Sequence, residues 1–151
     1  MEGSLIDVLQ SLFKRDLAKL REEIAAYQHE ENIWVVEKDI KNSAGNLCLH
    51  LAGNLRTFIG AELGKSGYVR QRDLEFSRKD VPRSELLAEV DRTETEVLQG
   101  LRQLTPERLQ ADYPLNVFGT SMTTAYFLIH LATHMTYHLG QVNYHRRLLD
   151  H

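Results

Sequence analysis

Apolar residues recur every three or four positions along four long stretches of this chain, which is the spacing of helices that bury one face. The three prolines and nine glycines gather mainly between these stretches. The pattern predicts an all-α protein, and four amphipathic helices in 151 residues are typical of a four-helix bundle. A chain of this length favours one domain, which we assign to residues 1–151.

Caps and breakers divide the chain into segments. These are a helix over 5–27, a connection over 30–42, a helix from Ser43 to 64–67, a charged loop over 68–81, a helix over 82–104, one extra turn over 107–110, and a last helix from 120 or 121 to 149. Ser43 is a candidate N-cap. Two interpretations of the connection over 30–42 stay open: a short extended piece, or an apolar lid at the end of the bundle.

Composition excludes several classes of protein. Lys plus Arg number 18 and Asp plus Glu number 21, a net charge of −3, which disfavours nucleic acid as a partner. Cys48 is the only cysteine, so neither an intrachain disulfide nor a four-thiolate metal site can form. No apolar run approaches the length of a membrane span, and Lys14, Arg15 and Asp16 interrupt the layout of a signal peptide. We expect a soluble, cytoplasmic protein with no membrane partner.

Polar side chains, most of them imidazoles, line one side of the last predicted helix. Four histidines and one glutamine fall within about 80° of one another on a helical wheel. They are His130, His134, His138, Gln141 and His145. The stripe borders the core-facing side, and side chains four residues apart have Cβ atoms about 5–6 Å apart, so two imidazoles can meet one metal ion. Either His130 with His134 or His134 with His138 could form that pair.

A third ligand must come from another helix, since catalytic zinc sites commonly use three protein ligands. His50 lies in an apolar string of the second helix, where burial of an unpaired imidazole would be costly. Spacing and packing therefore predict a metal site formed by His50, His134 and His138. Cys48 lies about 200° around the helix from His50 and is interpreted as a small core residue.

The sequence lacks the residues that several familiar metal sites require. The segment from His134 to His138 has no glutamate in the position that a zincin protease requires. No histidine follows a glutamate by three positions, which disfavours a ferritin-like di-iron centre. A mononuclear, histidine-dominated site remains. We interpret His29 and His151 as surface residues.

The strings LIHLATHMTYHLGQVNYHRRLL and NLCLHLAGNLRTFIG together resemble the DinB/YfiT-like family of four-helix metalloproteins. In that family one histidine of the second helix and an H-x-x-x-H pair of the last helix, followed by Gly-Gln, hold a divalent metal. His50, His134, His138, Gly140 and Gln141 match these positions. The resemblance implies an up-down-down-up bundle, a zinc or nickel ion at one end of it, and a homodimer.

The resemblance also implies chemistry, because some family members are thiol-dependent S-transferases or isomerases that use bacillithiol or mycothiol. An open metal position would then activate a small-molecule thiol for attack on an electrophile. We expect Asn54, Tyr137 or Gln141 to orient a ligand or a metal-bound imidazole. Arg70 and Arg72 are candidates to recognise the carboxylate of a thiol cofactor.

Two rival functions stay open. The first is a non-enzymatic, stress-associated bundle in which a metal only stabilises the helices, with His130 or His145 as a fourth ligand that closes the site. The resemblance favours His130 as a residue that contacts the ligands from outside or lines the pocket wall instead. The second is a metal-free interaction module whose histidines are polar packing residues.

Overall fold

Six α-helices make up most of the chain in the computed structural model, which describes residues 3–151. They are α1 (Leu5–Ala26), α2 (Ala44–Leu55), α3 (Arg72–Ser77), α4 (Arg83–Arg102), α5 (Pro106–Gln110) and α6 (Thr124–Leu149). A 3₁₀ turn spans Glu30–Trp34, and a π-helical segment, Arg56–Ala61, continues α2. The prediction of an all-α protein is confirmed, and four of the six helices are long.

Side-chain caps set the helix starts. Ser4 caps α1 in a capping box with Asp7, and the predicted cap Ser43 accepts a hydrogen bond from the backbone N–H of Asn46. Thr123 caps α6, so this helix begins later than residue 120 or 121. The reason is a backbone bridge between Asp112 and Thr123, which keeps the preceding chain extended.

Two connections differ from a simple loop. The predicted charged loop over 68–81 is wrong over Arg72–Ser77, where the chain forms α3. This short helix is amphipathic in an unusual way, because its buried side chain is the acidic Glu75. In the connection over 30–42 the chain forms a 3₁₀ turn, and its buried residues Ile33 and Trp34 belong to the hydrophobic core.

The core lies between the four long helices. Helix α1 packs against α4 and α6, and α2 packs against the same two helices. The largest fully buried side chains are Leu9, Phe13, Leu17, Leu20, Ile24, Ile33, Leu51, Leu55, Ile59, Leu86, Leu101 and Phe127. Each such side chain stabilises the fold by roughly 1.5–3 kcal/mol relative to exposure. Because α2 and α6 are neighbours, residues of both can meet in one site.

Polar contacts fix how α6 lies on α1. The hydroxyl of Thr136 donates to the carboxylate of Asp16 at 2.6 Å. Further along both helices, the buried carboxylate of Glu23 accepts from Asn143 and Arg146, each at 2.7 Å. Within residues 3–151, no helix combines the length and the apolar character needed to cross a membrane.

Candidate metal centre

Helices α2 and α6 bring three imidazoles together. Nε2 of His50 lies 3.3 Å from Nε2 of His134, and the ring centroids of His134 and His138 are 4.6 Å apart. One ring nitrogen from each of His50, His134 and His138 lies within 4.8 Å of the other two. His50 is buried, and the two histidines of α6 are half-buried. These three residues, which the sequence predicts as ligands, could therefore hold a metal ion.

A carboxylate and a guanidinium lie behind His50. Nδ1 of His50 donates to Oε1 of Glu75 at 3.1 Å, since a carboxylate can only accept. Arg70 donates to both oxygens of Glu75, at 2.8 and 3.0 Å. Burial alone would raise the pKa of Glu75, but the hydrogen bonds from His50 and Arg70 outweigh it and hold that pKa below its usual value. The proton on Nδ1 leaves Nε2 of His50 with a free electron pair at the cluster.

A glycine of α2 makes room for this carboxylate. A Cβ added at Gly53 would overlap Oε2 of Glu75. Gly53 follows His50 by about one turn, so the missing side chain lets α3 approach α2 at the level of the cluster. The helix-weakening glycine thus has a packing function.

His138 is oriented in the same way from within α6. Its Nδ1 donates to Oε1 of Gln141 at 2.7 Å, so its Nε2 is also free of a proton in the neutral ring. Burial lowers the pKa of His138. Burial, together with the neighbouring His138 and His50, lowers the pKa of His134 to about 4. These shifts keep the rings of His134 and His138 neutral near pH 7, which is the form that binds metals.

A cavity of about 330 Å³ opens beside the cluster. Its wall includes His50 and His134 and extends one helical turn beyond them, to Asn54 on α2 and His130 on α6. The remaining wall is made by aromatic, aliphatic and arginine side chains. They are Phe58, Arg70, Arg72, Val117, Phe118, Phe127 and Leu131.

The other side chains that the sequence predicts to orient or recognise a ligand do not all lie at the same cavity. Asn54 and Arg72 line the cavity, whereas Tyr137 is exposed and lines a groove between α1 and α6. Gln141 contacts His138 directly. Arg70 also lines the cavity, but both of its bonding nitrogens face Glu75, so Arg72 is the better placed cation for an anionic ligand.

The remaining histidines and the cysteine lie outside the cluster. His130 packs between Phe118 and Phe127, at centroid distances of 4.8 and 5.9 Å. His145 is buried, and its two ring nitrogens lie 2.7 Å from the hydroxyl of Tyr27 and 2.8 Å from the carbonyl of Val35. Cys48 is buried, in agreement with its interpretation as a core residue.

Sequence reasoning missed Glu75. It lies in a segment that contains many acidic and basic residues, so its sequence position does not distinguish it from the other carboxylates there. A residue 25 positions from His50 becomes its neighbour only when α3 folds against α2.

The fold and the cluster define a class of protein: a helical protein in which histidines from two helices converge on a site that could hold a metal ion. The chain belongs to the family described as protein of unknown function DUF1572, which matches residues 4–151. Comparison with curated proteins gave no match.

Proposed function

We propose that the protein binds one divalent metal ion, zinc or nickel, through Nε2 of His50, His134 and His138. The observation that carries the proposal is the convergence of three ring nitrogens within 4.8 Å. The donor set supports it, because neutral imidazole suits both ions. The hydrogen bonds of His50 and His138 through Nδ1 are the usual orienting contacts of metal-bound histidines.

The arrangement favours an open coordination position. His145 uses both ring nitrogens on Tyr27 and Val35, and His130 packs between two phenylalanines. Neither is among the three histidines whose nitrogens cluster. Three protein ligands with a position left for water or substrate are the pattern of catalytic zinc sites, whereas structural sites are saturated by protein. This favours catalysis over the stress-associated, purely structural role.

We extend the proposal to the reaction class that the DinB/YfiT-like resemblance implies, a thiol-dependent S-transferase or isomerase built on an up-down-down-up four-helix bundle. When bound, the ion would lower the pKa of a small-molecule thiol toward neutrality. In a transfer, the sulfur forms a bond to an electrophilic carbon, the leaving group departs with the electron pair of the broken bond, and the thiol proton passes to solvent.

The residues of the chain have distinct parts in this proposal. Glu75 and Gln141 orient the rings of His50 and His138. Arg70 neutralises Glu75, so that the carboxylate stays ionised although buried. The apolar cavity wall lowers the water content next to the ligands, which strengthens electrostatic interactions there. Arg72 adds a positive charge at the cavity for an anionic thiol or substrate.

Metal analysis tests the proposal. The protein should be purified without a nickel column, beside His134→Ala and a control, His151→Ala, which alters an exposed terminal histidine. We expect near one equivalent of metal in the parent and the control and little in His134→Ala. Absence of metal from all three proteins, even after zinc is offered, would leave a metal-free module and overturn the proposal.

A further inference from the structure

A second cavity lies on the other side of the histidine cluster. Its volume is about 420 Å³, which is within the range of small-molecule sites. It is lined by Leu47, one turn before His50 on α2, and by Gln141, one turn after His138 on α6. The cavity described above takes its α2 residues from His50 onward and its α6 residues up to His134. The cluster therefore separates two cavities along the contact between α2 and α6.

Unpaired charges of opposite sign line the second cavity. Asp39 and Lys41 are exposed and lie two positions apart in the connection that leads into α2. Within residues 3–151, neither side chain forms an ion pair or a hydrogen bond, with the other or with any other residue. A carbon atom that carries both an ammonium and a carboxylate matches this pair, because each of its groups finds the opposite charge.

Gln141 adds uncharged donors to the same cavity. Its Oε1 accepts from Nδ1 of His138 at 2.7 Å, and its amide nitrogen has no partner in the described part of the chain. An amide nitrogen carries two N–H donors, which suit a carboxylate. Because the residue is exposed, a molecule in the cavity can reach its side chain. Such a molecule would contact the residue that orients a predicted metal ligand.

The buried part of the cavity wall is apolar. Leu47 is 5% exposed, and Ile40 is half-buried. His145 also lines the cavity, but its ring nitrogens are already bonded to Tyr27 and Val35, so it offers no free polar atom. An aliphatic chain can be buried here without leaving a polar group unpaired.

From these observations we infer that the second cavity binds an α-amino acid with an apolar side chain. The ammonium pairs with Asp39, the carboxylate with Lys41 and the amide of Gln141, and the side chain packs on Ile40 and Leu47. The inference goes beyond the proposed function and needs no bound metal, because the residues that recognise the amino acid lie outside the three predicted ligands.

The test compares four compounds that differ by one feature each. L-norleucine carries all three features, hexanoate lacks the ammonium, pentylamine lacks the carboxylate, and glycine lacks the aliphatic chain. Binding is followed by NMR titration of the metal-free protein in chelator, since amino acids themselves bind zinc. We expect each single loss to weaken binding about fivefold or more, the size of one ion pair at an exposed site. The ring signals of His138 should move on the same titration curve, because Gln141 contacts both the ring and the ligand.

Variants assign the two charges of the ligand to side chains. Asp39→Asn should remove the preference for L-norleucine over hexanoate, and Lys41→Gln should remove the preference over pentylamine. The matched controls are Glu37→Gln and Lys38→Gln, which alter exposed charges of the same connection that do not line the cavity. Both controls should keep both preferences. The compound series on the parent protein is decisive even if a variant does not fold.

The outcomes separate this inference from the proposed function. Equal affinity for the four compounds, or no binding of any, overturns the inference whether or not the protein takes up a metal. Preferences that persist unchanged in both Asp39→Asn and Lys41→Gln would place the ligand elsewhere and overturn it too. Discrimination by a parent protein that never takes up zinc supports the inference and overturns the proposed function instead.

Discussion

Nδ1 of His50 lies 3.1 Å from Oε1 of Glu75, and this contact joins α2 to the short helix α3. Both residues are buried, and Arg70 completes the chain of interactions by holding the two oxygens of the carboxylate. The order from the cluster outward is imidazole, carboxylate, guanidinium. Such outer contacts fix the tautomer and the orientation of a ligand ring and raise its basicity.

Glu75→Gln is expected to weaken zinc binding by about tenfold to a hundredfold, because the neutral amide holds His50 less firmly and leaves Arg70 without its anion. Competition with a chromogenic zinc chelator measures the change. Glu37→Gln, at an exposed position, is the matched control and should bind zinc like the parent. Equal affinity of all three proteins would contradict a positioning role for Glu75.

Two helical glycines should respond oppositely to alanine. A Cβ at Gly53 overlaps Glu75, whereas a Cβ at Gly140 meets nothing within 4 Å. Gly140→Ala should raise the free energy of unfolding by up to about 1 kcal/mol, the difference in helix propensity. Gly53→Ala should lower it and weaken zinc binding as well, since the carboxylate of Glu75 must move away from its contacts with His50 and Arg70. Urea denaturation gives the sign of the change in unfolding free energy for both variants. Stabilisation by Gly53→Ala would show that Glu75 does not need the space left by the missing side chain.

The stability of the metal-free protein should fall as the pH drops below about 6.5, the ordinary pKa of histidine. Burial lowers the pKa of His145, whose neutral ring accepts from Tyr27 and donates to Val35. The unfolded chain therefore binds more protons than the native one, and each such proton reduces the unfolding free energy by about 1.4 kcal/mol per pH unit until the native pKa is reached.

Urea denaturation at several pH values from neutral to mildly acidic, in chelator, measures this slope. His145→Gln should flatten it relative to the parent, and the residual slope would belong to His134 and His138, whose pKa values are also lowered. An unchanged slope in His145→Gln would mean that His145 takes up its proton without loss of its native contacts.

Cys48 should not react with thiol reagents in the native protein. It is buried, and burial raises the pKa of its thiol to about 12, so the reactive thiolate is scarce at neutral pH. We expect slow labelling by an aromatic disulfide reagent in buffer and rapid labelling of one thiol in urea. Fast labelling of the folded protein would instead make Cys48 a candidate for the sulfur chemistry that we assign to an external thiol.

The homodimer that the family resemblance implies stays a prediction, and the structure offers a face for it. Tyr126, Ile129, Tyr137, Tyr144 and Leu148 are exposed along α6, and a groove of about 520 Å³ lies between this helix and α1. We expect Ile129→Glu to shift sedimentation velocity profiles toward the monomer, and Val36→Glu, at an exposed position off this face, to leave them unchanged. A monomeric parent at every concentration would contradict the dimer.

The helices and the pairing of His134 with His138 could be predicted from the sequence because both signals are local. Apolar spacing marks a buried helix face, and the interval from His134 to His138 places two rings on one side of α6 whatever the helix packs against. His50 could be added because an imidazole inside an apolar helix needs a partner. The charged segment over 68–81 could not be predicted in this way, since a six-residue helix shows less than two turns of periodicity.

The sequence by itself determined an all-α chain and the shared face of His134 and His138, because both follow from the 3.6-residue repeat of the helix. Only the tertiary structure decided which side chains surround the cluster. Glu75 behind His50, Tyr27 beside His145 and the unpaired oxygen of Asn54 arise where separate segments are packed together. Such contacts depend on the distances and orientations of whole helices, and no spacing along the chain records them.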